Sequence, residues 1–318
     1  RIKIIGGELI EQGEPNHLLL QTANGDFTRT SWTDGRFLDS EGKALDADLW
    51  DMSLSVRMQD LNQDGLTDIY VSNDFQAADR VWMNQGQGSF KLISPEVMSI
   101  SSHYSMAIDV ADINRDGWDD LMTVDMLSRF HHLRMTQMSI MSPDLDHITE
   151  LDRNTLQVRR NTLQINRGNG TYAELARYAG VEAGDWAWAL AFLDVDMDGW
   201  DDVLICNGHI MDTQDMDTFE ERKLIPPGSK QKQGPQYPVL KTPNVAFKNN
   251  RNLTFKSNGD SWGFNHIAVS NSLALGDLDN DGDLDVVINC LNGPPLFYRN
   301  KAANPRVVVR LKGSKQNT

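Results

Sequence analysis

Cysteine, basic charge and long apolar segments are all scarce in this chain of 318 residues. Its only cysteines are Cys206 and Cys290, which excludes a disulfide-rich fold. Relative to the acidic motifs described below, their positions differ by one residue, so they should face opposite sides of equivalent strands and remain buried, free thiols. Acidic residues outnumber basic ones by 45 to 30, and the net charge of −15 argues against nucleic acid as a partner. No segment approaches the roughly 18 consecutive apolar residues of a transmembrane helix.

Sequence signatures of common enzymes are also missing. The chain contains no G-x-S-x-G, H-E-x-x-H or C-x-x-C motif, and no Walker or dinucleotide-binding loop. His209, Trp186 and Trp188 are explained by packing, although two tryptophans on one side of a strand could also stack on a sugar ring. The sequence therefore favours a protein without catalysis and leaves an enzyme as an open alternative.

What the chain does contain is a nine-residue acidic motif that occurs four times, with the pattern D-x-[DN]-x-D-G-x-x-D. Places 1, 3, 5 and 9 carry side-chain oxygens, and place 7 would offer its backbone carbonyl. The sequence predicts that these oxygens bind a metal ion in each copy. The predicted ligands are Asp60, Asn62, Asp64, Leu66 and Asp68; Asp112, Asn114, Asp116, Trp118 and Asp120; Asp194, Asp196, Asp198, Trp200 and Asp202; Asp277, Asp279, Asp281, Asp283 and Asp285.

This spacing suits Ca²⁺, which takes six to eight oxygen ligands at roughly 2.3–2.6 Å. The glycine at place 6 permits the sharp turn that wraps the chain around an ion. Four acidic turns that bind nothing are the alternative, but the repeated glycine and terminal aspartate favour about four structural Ca²⁺ ions per chain. An EF-hand is excluded, because place 12 is never the required glutamate and apolar, β-branched segments follow each motif.

A second repeated element lies between the acidic motifs and consists of an apolar segment, an asparagine, a turn and an aromatic residue. Clear copies end at Phe90, Tyr172 and Phe255, each 22 residues before the next acidic motif. Such segments are typical of β-hairpins. One unit, measured from Asp60 to Asp112, spans 52 residues and holds four short strands, which matches a propeller blade. The sequence predicts an all-β fold: a β-propeller of four-stranded blades with about four repeats, either a ring of four or part of a larger propeller.

Two insertions interrupt the repeats at equivalent positions, at about 127–160 and about 209–242. The first is predicted to form two short helices separated at Ser142-Pro143, and the second to be helical up to Leu224. Equivalent positions in neighbouring blades lie on one face of a propeller, so the insertions should lie side by side as a cap. The first opens with basic residues and the second with acidic ones. Either these charges pair with each other, or the insertions form a ligand-binding face.

The acidic motifs and the hairpin turns resemble the FG-GAP/VCBS repeat family, which forms the calcium-loop propellers of integrin α-subunits and of many secreted bacterial proteins. Segments such as Asp185-Trp-Ala-Trp188 more narrowly resemble bacterial proteins that carry an ASPIC/UnbV domain. The resemblance implies a propeller over residues 1–303 and, over residues 304–318, the opening of that domain as a C-terminal β segment, in which residues 304–311 are strand-like. It also implies that the motif Asp and Asn residues bind Ca²⁺, with Asn62 and Asn114 each removing one charge from their sites.

From these patterns and the resemblance we expect a calcium-stabilised propeller without catalysis that mediates adhesion by binding a protein or a glycan. It is expected to be secreted or at the cell surface, which in a bacterium means the periplasm or outer envelope. Two alternatives stay open. One is an extracellular carbohydrate-active enzyme with its site on the capped face, where His132 and Asp215 are the residues to test. The other is a structural subunit that assembles with other envelope proteins.

Overall fold

The chain is all-β, with four blades in a propeller arrangement and few helices. The computed structural model describes residues 2–5, 8–11, 13–75, 77–137, 155–225 and 235–305, together with 307, 309 and 313. Among the described residues, five short strands precede the first strand of the first blade: β1 (Ile2–Ile5), β2 (Glu8–Glu11), β3 (Leu19–Gln21), β4 (Phe27–Arg29) and β5 (Phe37–Leu38). β1 pairs with β2 and β3 pairs with β4, both antiparallel.

The first two blades each contain four antiparallel strands. In the first blade these are β6 (Met52–Gln59), β7 (Asp68–Asp74), β8 (Arg80–Asn84) and β9 (Phe90–Leu92), and β5 pairs with β9 in parallel. The chain continues through β10 (Ile100–Ser102), β11 (Ala107–Ala111), β12 (Asp120–Val124), α1 (His131–Thr136), β13 (Leu156–Val158), β14 (Thr162–Asn166), β15 (Tyr172–Glu174) and α2 (Ala176–Ala179). β11, β12, β14 and β15 form the second blade, and β10 pairs with β13 beside it.

Within the described ranges, the third blade has four strands and the fourth has three. Their elements are β16 (Ala187–Leu193), β17 (Asp202–Asn207), α3 (Met216–Lys223), β18 (Thr242–Pro243), β19 (Val245–Asn249), β20 (Phe255–Ser257), α4 (Gly259–Trp262), β21 (Ile267–Ala268), β22 (Ser270–Gly276), β23 (Asp285–Cys290) and β24 (Leu296–Tyr298). β16, β17, β19 and β20 form one sheet, and β22, β23 and β24 form the other. β18 and β21 pair with each other outside the blades.

Each acidic motif joins the first strand of a blade to the second, as the sequence predicts. The second strands β7, β12, β17 and β23 begin at the last aspartate of their motifs. Their apolar runs are buried because both faces of these strands are covered. The first strands of neighbouring blades contact one another in chain order, β6 with β11, β11 with β16 and β16 with β22.

Apolar side chains from neighbouring blades form the core between the sheets. Tyr70 and Leu121 lie between the first two blades, and Leu163 and Val203 lie between the second and third. Cys206 and Cys290 lie in one buried cluster between the third and fourth blades, and both are free, as predicted. Cys206 and Cys290 project from opposite faces of their sheets, as their one-residue offset predicts. Because the two blades are neighbours, these two faces lie against each other.

The described parts of the insertions include one helix in each. α3 agrees with the predicted helix: it ends at Lys223, and Leu224 is its C-cap residue. α1 lies within the first insertion, while the second helix predicted there lies outside the described residues. In the C-terminal segment predicted to form a strand, residues 304, 305, 307 and 309 are described and are not in a strand. Among the described residues, no helix has the length and hydrophobicity needed to cross a lipid bilayer.

Candidate functional site

All four acidic loops share one hydrogen-bonding scheme around the aspartate at place 1. Its two carboxylate oxygens accept hydrogen bonds from the backbone N–H groups of place 5 and of the glycine at place 6. These eight distances lie between 2.7 and 3.1 Å. The backbone of each loop therefore curls around the carboxylate at place 1.

The turn uses two left-handed residues in each loop. Glycines 65, 117, 199 and 282 have φ between 84° and 93°, which glycine adopts without strain. The residue at place 4 is also left-handed, with φ between 54° and 61° at Gln63, Arg115, Met197 and Asn280. The sequence pattern leaves place 4 unspecified, so this second left-handed position was not predicted. Only Asn280 is of a type that favours such a conformation.

The aspartate at place 9 is buried in every loop and connects the loop to the third strand of its blade. One oxygen accepts a hydrogen bond of 2.9 to 3.2 Å from the backbone N–H of place 2. The other accepts a hydrogen bond of 2.8 Å from the backbone N–H of an asparagine. The four pairs are Asp68 with Asn84, Asp120 with Asn166, Asp202 with Asn249 and Asp285 with Asn300. Burial raises the pKa of Asp120 and that of Asp202 to about 7. Each of these aspartates therefore has a structural role besides any role as a ligand.

The third and fourth loops bring several carboxylates especially close together. One oxygen each from Asp194, Asp196 and Asp202 lie within 4.8 Å of one another, and so do oxygens from Asp277, Asp279 and Asp281. Oδ1 of Asp196 is buried and has no hydrogen-bond partner among the described residues. The first and second loops have Asn62 and Asn114 at place 3 in place of a third close carboxylate. An all-oxygen, mainly anionic donor set of this kind fits a hard divalent cation.

A cavity of about 560 Å³ lies where the blades meet the two insertions. Its aromatic lining includes Phe75, Tyr104, Trp186 and Trp188, and its charged lining includes Asp74, Asp125, Arg134 and Arg159. A concave site that combines apolar rings with a few convergent polar groups is the usual form of a small-ligand site.

Three rings stack at one side of this cavity. The rings of Trp186 and His209 are nearly parallel, with centroids 4.2 Å apart and an angle of 8° between the planes. Trp188 lies 5.7 Å from His209 at 25°, and its Nε1 donates a hydrogen bond of 2.7 Å to the carbonyl of Gly208. Trp186 is only 7% exposed, and its Nε1 has no hydrogen-bond partner in the part of the chain that the structure describes. The indole N–H of Trp186 is thus a buried donor that a ligand or a water molecule can satisfy.

The acidic residues of the cavity differ in how firmly they are held. Asp125 accepts hydrogen bonds from the Ser102 hydroxyl and from the backbone N–H groups of Tyr104 and Met126, so both of its oxygens are engaged. Burial raises its pKa to about 6. Asp74 accepts a hydrogen bond from the N–H of Phe75, and burial, with a smaller contribution from Asp125, raises its pKa to about 7.

The two insertions meet beside the cavity, as their equivalent positions predict. Nε2 of Gln137 donates a hydrogen bond of 3.0 Å to Asp212, and Gln137 also forms an isolated β-bridge with Asp215. Among the described residues, this contact is therefore made through an amide rather than through the basic residues with which the first insertion opens. Arg129 instead pairs with Asp185 at 3.1 Å.

Asp215, one of the two residues to test for the enzyme alternative, has a structural role. It is the N-cap of α3, where its Oδ1 accepts a hydrogen bond of 2.7 Å from the N–H of Thr218. N-cap residues of this kind satisfy a donor that the first helical turn leaves unpaired. The sequence missed the connection between Trp186 and His209, since the two residues belong to different segments of the third repeat.

Comparison with known proteins supports an FG-GAP β-propeller family. The family model described as FG-GAP-like repeat matches residues 60–123 and 152–205, which contain the first three acidic loops. No curated protein matches the chain. One solved structure that it matches concerns specific recognition of non-reducing terminal N-acetylglucosamine by an Agrocybe aegerita lectin. The two are 13% identical, the match covers 91% of this chain and 75% of that chain, and the TM-score is 0.34. A TM-score this low carries no argument about the ligand of the present chain.

Proposed function

We propose that this chain is a Ca²⁺-stabilised binding propeller that takes a glycan or a protein segment, without catalysis, in the cavity beneath its insertions. The observation that carries the proposal is a cavity lined by aromatic rings, among them Trp186, whose buried Nε1 has no hydrogen-bond partner among the described residues. A buried donor without a partner is destabilising unless something binds to it.

The calcium part of the proposal is supported by the loops. Carboxylate oxygens converge from places 1, 3 and 9 in the third loop and from places 1, 3 and 5 in the fourth, and the buried Oδ1 of Asp196 has no hydrogen-bond partner among the described residues. Carboxylates at such short separations repel one another unless a cation lies between them. Loops with few charged ligands bind Ca²⁺ weakly, and millimolar extracellular Ca²⁺ keeps weak sites filled. This is why a secreted or cell-surface location, in an adhesive role, belongs to the same proposal.

The ligand part is supported by the chemistry of the cavity, in which a glycan is the favoured occupant. Apolar faces of sugar rings stack on aromatic side chains, while hydroxyl groups need donors and acceptors around their edges. The cavity provides rings at Trp186, Trp188 and Tyr104, carboxylates at Asp74 and Asp125, and guanidinium groups at Arg134 and Arg159. A protein segment that inserts one aromatic or polar side chain is the other occupant that this lining accepts.

A second candidate function is hydrolysis or elimination of a glycan in the same cavity. Its support is the pair Asp74 and Asp125, whose raised pKa values of about 7 and about 6 suit a general acid. Against it, both oxygens of Asp125 already accept hydrogen bonds from neighbouring groups. Binding without catalysis therefore fits the geometry better. The association with an ASPIC/UnbV domain rests on the resemblance of segments such as Asp185–Trp188 and of residues 304–313, and it stays a prediction.

The calcium proposal is tested by metal analysis of the purified chain together with thermal melts in Ca²⁺ and in chelator. We expect about four Ca²⁺ per chain and a large fall in the melting temperature when chelator is added. With free Ca²⁺ at a hundred times Kd, each filled site adds about 2.7 kcal/mol to the free energy of unfolding. A chain that contains no Ca²⁺ and melts at the same temperature in both buffers would contradict the proposal.

The ligand proposal is tested with Trp186→Phe on a panel of immobilised neutral and acidic oligosaccharides. The substitution keeps an aromatic ring and removes the N–H, so affinity for a bound oligosaccharide should fall roughly tenfold. Trp262→Phe is the matched control, since Trp262 lies in α4 and does not line this cavity. Failure of every oligosaccharide to bind, or equal binding by Trp186→Phe and the unmodified protein, would reject a glycan in this cavity. Release of reducing ends that stops in Asp74→Asn would favour the enzyme instead.

A further inference from the structure

The four acidic loops fall into two classes, and two positions change together. Place 3 is asparagine in the first two loops, at Asn62 and Asn114, and aspartate in the last two. The residue just before the connecting asparagine of the third strand changes as well. It is apolar where place 3 is asparagine and basic where place 3 is aspartate: Met83, Ile165, Lys248 and Arg299, in loop order.

The structure shows what this pairing does at the aspartate of place 5. In the first two loops, the side-chain amide of place 3 donates a hydrogen bond of 2.9 Å to Oδ2 of Asp64 and of Asp116. In the third loop, the Lys248 ammonium lies 3.1 Å from Oδ2 of Asp198 and also contacts Asp196. In the fourth, the Arg299 guanidinium lies 3.5 Å from Oδ2 of Asp281 and also contacts Asp279. The same oxygen thus receives a donor in every loop, from an amide in one class and from a cation in the other.

From this pairing we propose that Lys248 and Arg299 are internal counter-cations that offset the additional carboxylate of their loops and lower the affinity of those loops for Ca²⁺. The inference rests on the proposed function, because it concerns how the same loops bind the ion. At places 1, 3, 5 and 9, each loop of the first class has three aspartates and each loop of the second class has four, with Lys248 or Arg299 beside them and Arg251 also beside the third loop. Both classes therefore present a similar net charge to a divalent ion.

The expected effect is large enough to measure. A unit positive charge about 5 Å from a divalent ion opposes its binding by roughly tenfold, even with the dielectric constant of water. The Lys248 side chain is 32% exposed, so its charge is only partly screened by solvent. Arg251 also reaches Asp198, at 2.9 Å, but its side chain is 53% exposed and contributes less.

The experiment uses Tb³⁺, which substitutes for Ca²⁺ and luminesces when a nearby tryptophan transfers energy to it. Trp118 and Trp200 occupy place 7 of the second and third loops, so a Trp118→Phe background leaves Trp200 to report on the third loop. In that background, Ca²⁺ is titrated against bound Tb³⁺ for the parent, Lys248→Met, and Lys248→Met combined with Asp196→Asn. Methionine is chosen because Met83 occupies the equivalent position of the first loop. Lys43→Met is the control for net charge, since that side chain is 74% exposed and distant in sequence from the third loop.

Lys248→Met should bind Ca²⁺ roughly tenfold more tightly than the parent, and the double variant should return to within about threefold of it. Lys43→Met should not change the affinity. Arg299→Met gives an independent check by calorimetric titration of the whole chain with Ca²⁺. In this variant, one site should bind Ca²⁺ more tightly than in the parent. Equal or weaker Ca²⁺ binding by both Lys248→Met and Arg299→Met, with melting in Ca²⁺ that remains cooperative, overturns the counter-cation inference and leaves the proposed function standing. Absence of Ca²⁺ and Tb³⁺ binding by the parent overturns both.

Discussion

The side-chain amide of Asn249 donates a hydrogen bond of 2.9 Å to the carbonyl oxygen of Ile113, which lies 136 residues earlier in the chain. Asn249 ends the third strand of the third blade, and Ile113 is place 2 of the acidic loop of the second blade. Asn300 makes the equivalent bond of 3.0 Å to Val195, from the fourth blade to the loop of the third. These two asparagines, which connect a loop to their own blade, thus also connect neighbouring blades, so the second and third acidic loops lie at the joints of the propeller.

Replacing Asn249 should weaken the contact between the second and third blades and destabilise the protein. In Asn249→Ala the buried carbonyl of Ile113 and the partly buried carbonyl of Asp201 each lose a donor, and the free energy of unfolding should fall by about 1–3 kcal/mol. Urea denaturation followed by tryptophan fluorescence measures the change. Asn265→Ala is the control, because Asn265 is exposed and should alter stability by less than about 0.5 kcal/mol. Similar stability of the two variants would mean that the bond between blades adds nothing.

The aspartate at place 9 should stabilise the folded protein both with and without bound metal. In Asp120→Asn, an amide NH₂ replaces an oxygen that accepts a backbone N–H, from either Ile113 or Asn166. Two donors then face each other in a buried position, so the free energy of unfolding should fall by about 1–3 kcal/mol even in chelator, and by more in Ca²⁺.

Chemical denaturation in both buffers separates the two contributions of Asp120. Asp46→Asn, at a side chain that is 86% exposed, is the matched control and should have little effect in either buffer. A loss of stability in Asp120→Asn that disappears in chelator would show that Asp120 acts as a metal ligand only.

Stability should depend on pH through Asp79, which lies away from the acidic loops. Its carboxylate accepts hydrogen bonds from the Tyr70 and Ser105 hydroxyls and from the N–H of Asn73, and burial raises its pKa to about 7. Between about pH 4 and pH 7 the folded protein retains a proton that the unfolded chain has released. Raising the pH through this range therefore removes stability from the unmodified protein.

Asp79→Asn tests this dependence, because its amide does not titrate and can donate to the two hydroxyl oxygens. The melting temperature of Asp79→Asn relative to the unmodified protein should increase between pH 5 and pH 8. Melts of both proteins at the two pH values, in saturating Ca²⁺, measure the difference, and Asp46→Asn controls for the loss of an exposed carboxylate. An equal difference at both pH values would mean that Asp79 stays ionised in the folded state.

Several features of the fold were predictable because they depend on residues close together in the chain. The nine-residue motif, with its glycine at place 6, specifies a tight acidic turn. The apolar, β-branched segments after Asp68, Asp120, Asp202 and Asp285 specify buried strands. Repetition of the motif and the hairpin then implies blades, since one unit cannot cover its own apolar faces and must pack against the next. The type of fold, the position of the loops between strands and the two free thiols all follow from this local information.

Only the tertiary structure decided which distant residues meet. Trp186 stacks on His209, Gln137 bonds to Asp212 across the insertions, and Asn249 reaches Ile113 in the preceding blade. Lys248 reaches Asp196 over a separation of 52 residues, and no spacing rule within one motif could assign it to that loop. The physical reason is that these contacts depend on how neighbouring sheets are oriented and packed. Backbone sterics within nine residues decide the turns, whereas the cavity and the joints exist only once the blades have packed.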